Sequence, residues 1–223
     1  MRRKPAAIDA DALLVALPAS LARLARRGVV HPYRKGSTLI SEGERGDTIY
    51  IILSGRLRAY STNLQQDREI TYGTYGVGEY MGELGLDGGL RTASVEALEA
   101  SVCAVVTRTT LQAHLAEHPE FGLELLAKVI ARARAATLTA RQMVLNDVYG
   151  RIKLLLESRV QGAAAGAVGG WSDAERISQG EIASRVGCSP SMVSKVLKEL
   201  EVGGHLDTRG FSLRLKLPLP ARW

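Results

Sequence analysis

The spacing of apolar residues changes character along the chain, and each change predicts a different kind of element. Leu13, Leu14, Leu17, Leu21 and Leu24 recur at helical spacing in an Ala-, Leu- and Arg-rich stretch with no glycine before Gly28, which predicts short helices. From His31 to about Thr107 the pattern turns to brief β-branched or aromatic runs, such as Thr48-Ile49-Tyr50-Ile51-Ile52-Leu53. These are separated by glycines at 36, 43, 46, 55, 73, 76, 78, 82 and 85. Short strands punctuated by residues that tolerate tight corners predict an antiparallel barrel or sandwich. After Thr109 helical spacing returns. From Pro119 to about Leu156 only Gly122 and Gly150 interrupt it, which predicts one long helix or two abutting ones.

Leu123, Leu126, Ile130, Ala133, Thr137, Ala140, Val144 and Val148 form a narrow stripe along that helix, with Arg132, Arg134 and Arg141 off it. A stripe on a helix longer than a small barrel can cover needs a partner, and a two-fold dimer seam is the expected one; packing against the chain's own barrel is the alternative. The segment from Gln161 to Gly170 is small and featureless and is expected to be a flexible loop. Beyond it stand two short helices and a strand pair between Leu206 and Leu217, the size of a winged DNA-binding module.

Composition bounds the class. With 223 residues, 46% hydrophobic and 23% charged, the chain has enough apolar side chain for packed cores. No run approaches the ~20 apolar residues that a membrane span requires. The basic start Met1 to Lys4 leads into Pro5-Ala6-Ala7-Ile8-Asp9 and not into a signal-peptide apolar run. Cys103 and Cys188 are too few for a disulfide scaffold or a four-cysteine metal site, so a reducing, cytoplasmic location is expected, with no membrane partner. The net charge of +6 favours a polyanionic partner. Residues 149–223 alone carry eleven Lys or Arg against seven acids.

Two stretches carry chemistry. In the first, Ser178-Gln179 caps a short helix with Ile182, Ala183 and Val186 inward, and Gly187-Cys188-Ser189 breaks it. A second helix then runs from Ser189 or Pro190 to Val202 with Val193, Val196, Leu197 and Leu200 inward. Outward lie Ser191, Ser194, Lys195 and Lys198, small or basic groups that a DNA major groove can receive. This is a helix-turn-helix pattern, set against the alternative of an ordinary helical hairpin. A following Asp207-Thr208-Arg209-Gly210-Phe211 turn reads as a wing. Phosphate contacts are expected from Arg209, Ser189 and the start of the helix at Pro190, and base reading from Ser191, Ser194 and Lys195.

The second stretch runs from Gly82 to Val95. Arg91 flanked by small residues lets main-chain amides and the Thr92 hydroxyl approach one phosphate while the guanidinium neutralises it, and Glu83 can accept from a sugar hydroxyl. The same residues equally suit a buried Glu83 to Arg91 salt bridge closing a barrel corner. Paired carboxylates, metal-ligand spacing, a nucleophile elbow and a P-loop are missing, and His114 and His118 lack a third ligand nearby, so no enzyme is expected.

The order barrel, long helix, helix-turn-helix and wing resembles the catabolite activator and fumarate-nitrate regulator (CRP/FNR) family of bacterial transcription factors. Gly55 after a strand, Gly82-Glu83-Leu84, Arg91-Thr92-Ala93 and Asp147-Val148-Tyr149-Gly150-Arg151-Ile152 carry the likeness. It implies an α+β protein in three parts. Residues 1–118 would form a jelly-roll, cyclic-nucleotide-binding barrel with short N-terminal helices, 119–148 a long dimerisation helix and hinge, and 149–223 a winged helix-turn-helix. It further implies an effector pocket made of Gly82, Glu83, Leu84, Arg91, Thr92 and Ala93, with Glu83 at the ribose, Arg91 and Thr92 at the cyclic phosphate, and Thr137 near the base. Cyclic AMP is the implied effector, and a homodimer on a roughly palindromic operator, in contact with RNA polymerase, the implied assembly.

The sequence departs from that pattern at several points. Only eight positions separate Glu83 from Arg91, and Ala136 stands where cyclic AMP-binding members often have a hydroxyl residue. Pro190 and Ser191 replace the Arg and Glu that read bases in the best-known members, with Lys195 where an Arg is usual, so a different operator is expected. The N-terminal cysteine cluster of the family's oxygen sensors is missing, and heme ligation by His31, His114, His118 or His205 is not favoured. The alternatives are the same architecture answering to cyclic di-GMP, another effector or none, and, from a different class, a cyclic-nucleotide-sensing regulatory partner of an enzyme.

Overall fold

The computed structural model describes residues 9–63, 65, 68–164, 177–207 and 214–220. The chain divides into two compact units: Met1–Ser61 with Tyr72–Ala131, and Thr62–Thr71 with Arg132–Trp223.

In the first unit, α1 (Ala10–Leu14) is capped by Asp9, whose carboxylate accepts from the Ala12 amide at 3.1 Å, and α2 (Ala19–Ala25) buries Leu21, Ala22, Leu24 and Ala25. Strands β1 (Val29–Tyr33), β2 (Thr38–Ile40), β3 (Thr48–Ser54), β4 (Leu57–Asn63), β5 (Arg68–Tyr75), β6 (Tyr80–Met81), β7 (Ser94–Ala97) and β8 (Ser101–Thr107) follow, with the end of β4 and the first half of β5 falling in the second unit. They form two four-stranded sheets, ordered β1-β8-β3-β6 and β2-β7-β4-β5, whose described pairings are antiparallel. This is the antiparallel barrel that the glycine-punctuated runs predict, in the jelly-roll form that the family resemblance implies.

The continuous apolar run of β3 has a packing reason. Ile49, Ile51 and Leu53 join Ala104 and Val106 of β8 in a core shared with Leu24 of α2 and Phe121. Ile52 and its register partner Cys103 face the opposite way, into the core between the sheets with Leu57, Val95 and Ala97. A strand buried on both faces has no need of alternation. Burial pushes the Cys103 thiol up to about 12, which leaves it inert.

Helix α3 (Arg108–Glu117), capped by Thr107, leads into α4 (Glu120–Leu145) and, after Asn146-Asp147, α5 (Val148–Ala164). The long helical region is thus two abutting helices. The Asp147 carboxylate takes the Gly150 amide at 2.7 Å, and Arg151 donates through Nη1 to the Asn146 carbonyl at 2.8 Å, so the break is capped on both sides. Helix α5 continues to Ala164, which corrects the expectation of a loop from Gln161: alanine is the strongest helix former, and Ala163 and Ala164 extend the helix past Gly162. Residues 165–170 of that segment lie outside the described residues.

The second unit also contains α6 (Gln179–Val186), α7 (Pro190–Val202) and an antiparallel pair of β9 (Leu206–Asp207) and β10 (Arg214–Leu215). Ile152 and Leu156 of α5, Ile182 of α6, Val193 and Leu200 of α7, Leu206, Leu215 and Leu219 share one core. Pro220 is fastened to it, since the Tyr149 hydroxyl and Lys153 Nζ both donate to its carbonyl at 2.9 Å.

Candidate functional site

Arg91 is the centre of the first unit's chemistry. It follows an isolated bridge between Arg45 and Leu90 and is held by its own backbone, its amide donating to the Glu44 carbonyl at 2.8 Å and its carbonyl accepting from the Gly43 amide at 2.9 Å. Its side chain is 6% exposed. Nη1 donates to the Gly82 carbonyl at 2.6 Å, and Nη2 donates to the Thr48 carbonyl at 2.8 Å and hydroxyl at 3.1 Å.

Glycines make room for this charge. A Cβ on Gly46 would stand 2.6 Å from Arg91 Cζ, and one on Gly85 3.0 Å from Nη1. Gly82 has φ +96, and a Cβ there would stand 2.7 Å from the Thr48 carbonyl oxygen, so both its conformation and its surroundings exclude a side chain. From Gly82 the chain enters a single 3₁₀ turn, Glu83–Gly85, that buries Glu83 and leaves Leu84 half-exposed. An open depression of about 250 Å3, lined by Arg45, Gly46, Asp47 and Gly88, adjoins the cradle at Gly46.

Gly82, Glu83, Leu84, Arg91, Thr92 and Ala93 therefore come together at one corner of the barrel, with Thr92 exposed and Ala93 half-buried. Thr137 belongs to the second unit, where it is exposed and its hydroxyl donates to the Ala133 carbonyl at 2.9 Å. Sequence reasoning missed Thr48 and Gly46. The signal available was faint: a threonine opening the most apolar strand and a glycine among many, distant in sequence from the arginine they surround.

The second unit presents the helix-turn-helix as the sequence predicts it. Ser178 caps α6 through the Glu181 amide, and Gly187 ends it at φ +68, the left-handed conformation of a helix C-terminus. Ser189 caps α7 by accepting from the Met192 amide at 3.3 Å, and Pro190 takes the first helical position. Val193, Val196, Leu197 and Leu200 are buried, while Pro190, Ser191, Met192, Ser194, Lys195 and Lys198 are exposed. Arg151 ties the two halves of the unit by donating through Nε to the Val186 carbonyl at 2.8 Å. Ser184 of α6 is buried; its hydroxyl donates to Glu69 Oε1 at 2.8 Å and lies 2.5 Å from the Thr71 hydroxyl, both in the Thr62–Thr71 segment of the same unit. Arg209 and the turn around it lie outside the described residues.

Helix α4 carries the apolar stripe uncovered within the single chain. Leu123 is 72% exposed and Val144 82%, with Leu126 and Ile130 also open to solvent, whereas Val148, at the end of the predicted stripe, packs against the core of the second unit. Among the described residues no helix is long and apolar enough to cross a membrane, and no cluster of three or more His, Cys, Asp or Glu could hold a metal ion.

Residues 30–118 match the model of the cyclic nucleotide-binding domain, the segment that contains the whole Arg91 cradle. Fold and site thus define the class, a cyclic-nucleotide-binding barrel joined on one chain to a winged helix-turn-helix. The chain is 30% identical over 184 residues to the cAMP-activated global transcriptional regulator CRP of Escherichia coli O157:H7, covering 81% of this chain and 86% of that protein. It is 28% identical over 197 residues to the CRP-like cAMP-activated global transcriptional regulator of Mycobacterium tuberculosis H37Rv, covering 88% of each. Among solved structures, the c-di-GMP responsive global regulator CLP of Xanthomonas campestris shares the fold, with a TM-score of 0.77 at 24% identity over 88% of this chain and 97% of that one. The chain belongs to the CRP/FNR family of transcription regulators.

Proposed function

We propose that this chain is a homodimeric, sequence-specific DNA-binding regulator of transcription, gated by a cyclic nucleotide bound in the barrel, with cyclic AMP the first effector to test. The observation that carries this reading is the Arg91 cradle. A buried guanidinium has five N–H donors and the carbonyls and hydroxyl around it engage three, so its charge and remaining donors suit a small anion. A phosphodiester fits that role, with the buried Glu83 carboxylate, eight residues before Arg91 in sequence, as acceptor for a ribose hydroxyl.

The open stripe of α4 supports dimerisation. A helix of 26 residues is about 39 Å long at 1.5 Å per residue, enough to align two copies along a seam. A two-fold dimer would set two α7 helices in successive major grooves about 34 Å apart on a roughly palindromic operator. Gating requires that the effector bind more tightly to the state with that spacing, since only differential affinity moves an equilibrium. Contact between the DNA-bound dimer and RNA polymerase, in the cytoplasm, completes the proposed action.

A second reading keeps the architecture and changes the effector to cyclic di-GMP or another anion. Ala136 favours it, because alanine brings no hydroxyl to a base and leaves only the acceptor lone pairs of Thr137, which donates to Ala133, for an adenine amino group. Calorimetric titration with cyclic AMP and with cyclic di-GMP, using Arg91→Ala as control, separates the two. Saturable binding of cyclic AMP that the variant loses supports the first reading. Binding of neither ligand, together with effector-independent promoter binding, would defeat the gated mechanism.

A further inference from the structure

The first turn of α7 has an unusual surface for a helix that reads DNA. At 100° per residue, Ser191, Lys195 and Lys198 lie opposite the buried Val193, Val196, Leu197 and Leu200, and Pro190 and Met192 flank them on either side. Met192 is 42% exposed and takes no part in the unit's core, although the side chains around it on the outer face are small or charged. Ser191 shares a hydrogen bond of 2.9 Å with Ser189, which itself caps the helix, and a single hydroxyl cannot make two parallel hydrogen bonds to one base edge. The first turn, Pro190 to Val193, therefore offers no side chain able to make the paired hydrogen bonds by which Arg or Lys selects guanine or Asn and Gln select adenine. Its chemistry is one hydroxyl, an exposed thioether and a proline ring.

A helix about 10–12 Å across fills a major groove roughly 12 Å wide, so the flanks of its leading turn meet base edges as well as its outermost face. The base feature that an apolar side chain can recognise there is the C5 methyl group of thymine. We propose that α7 selects its half-site through a thymine methyl gripped by Met192, with Pro190 beside it, in place of a paired hydrogen bond from this turn. The unbranched, polarisable methionine side chain suits a contact of this kind. Lys195 and Lys198, one and two turns further along, supply charge toward the phosphates and ammonium donors to a base edge. This inference rests on the DNA-binding reading above and specifies what that site reads.

The test uses the full-length protein. Half-sites are selected from a randomised duplex pool with no effector, with cyclic AMP and with cyclic di-GMP, and each thymine of the selected site is then replaced singly by uracil, which lacks only the methyl. One thymine per half-site should show a loss in affinity of about fourfold, the value of one buried methyl group. That loss should vanish in Met192→Ala, whose melting temperature should match the parent because the side chain is exposed, and should persist in Lys195→Ala. Uracil tolerated at every position, or a uracil penalty undiminished in Met192→Ala, overturns the proposal while leaving DNA binding intact. Failure of the parent protein to select any sequence under all three conditions overturns the DNA-binding reading and this inference with it.

Discussion

The two units handle positive charge in opposite ways. In the barrel, Arg91 is withdrawn from solvent and bound by the Gly82 and Thr48 oxygens. In α7, Lys195 and Lys198 stand in water with no hydrogen bond or ion pair among the described residues. A buried, pre-positioned cation favours one small anion strongly and is only weakly sensitive to salt, whereas exposed lysines attract a polyanion through counterion release and lose that attraction as salt rises. One chain thus contains a buried cation and an exposed basic helix face, and each can be perturbed separately.

The largest expected effect follows from removing the buried charge. Arg91→Ala should weaken cyclic nucleotide binding by about a hundredfold, the scale of charge-assisted hydrogen bonds in a desolvated site, without changing the salt dependence of basal DNA binding. Equal ligand affinity by calorimetry would show that Arg91 is a structural strut only. Next comes the space around it. Gly46→Ala places a methyl 2.6 Å from Arg91 Cζ, which should displace the guanidinium and lower ligand affinity by about tenfold while costing about 1–3 kcal/mol of stability in urea unfolding. In the other unit, Lys195→Ala should weaken operator binding by several-fold at low salt and reduce the slope of log affinity against log salt by about one. An unchanged affinity and slope would take Lys195 out of the interface.

The smallest effect sharpens the contrast with a second buried base of the first unit. His114 is 1% exposed, its ring nitrogens make no hydrogen bond among the described residues, and its ring packs on His118 and Phe121. Desolvation holds its pKa below the usual imidazole value, and the neighbouring His118, Arg27 and Arg23 push the same way against the opposing Glu117. Between the ordinary value near 6.5 and the lower folded one, the unfolded chain binds more protons than the folded chain. Stability from this group is therefore complete above about pH 6.5 and is lost as pH falls, by up to about 1.4 kcal/mol per pH unit. The acid-side decline in melting temperature should be shallower in His114→Leu than in the parent, and an identical decline would exclude His114 as its source.

The helix-turn-helix was the more legible of the two sites. Ser178, Gly187, Ser189 and Pro190 are punctuation whose physics is local: a cap, a left-handed stop, a cap and a first-turn proline. The inward positions of α6 and α7 followed from periodicity alone. The effector corner was legible only in part. Arg91 and Glu83 stand out as charges among glycines, but Thr48 and Gly46 lie 43 and 45 positions from Arg91, and no spacing rule connects them. The exposed Met192 was hidden for another reason, since a methionine in an amphipathic helix reads as core until its burial is known.

By itself the sequence determined the elements and their ends: the apolar runs of the barrel, the stripe on α4, the caps of α6 and α7, and the charge excess near the C-terminus. Those are set by interactions within a few residues, where the chain's own geometry brings partners together. Only the tertiary structure decided that Arg91 faces inward onto the Thr48 and Gly82 oxygens, that the Glu69 and Thr71 segment packs on Ser184, and that Tyr149 and Lys153 hold Pro220. Each of these joins groups remote in sequence or turns a side chain toward one of two possible faces. The direction is settled by which buried donors and acceptors must be satisfied once the cores have closed.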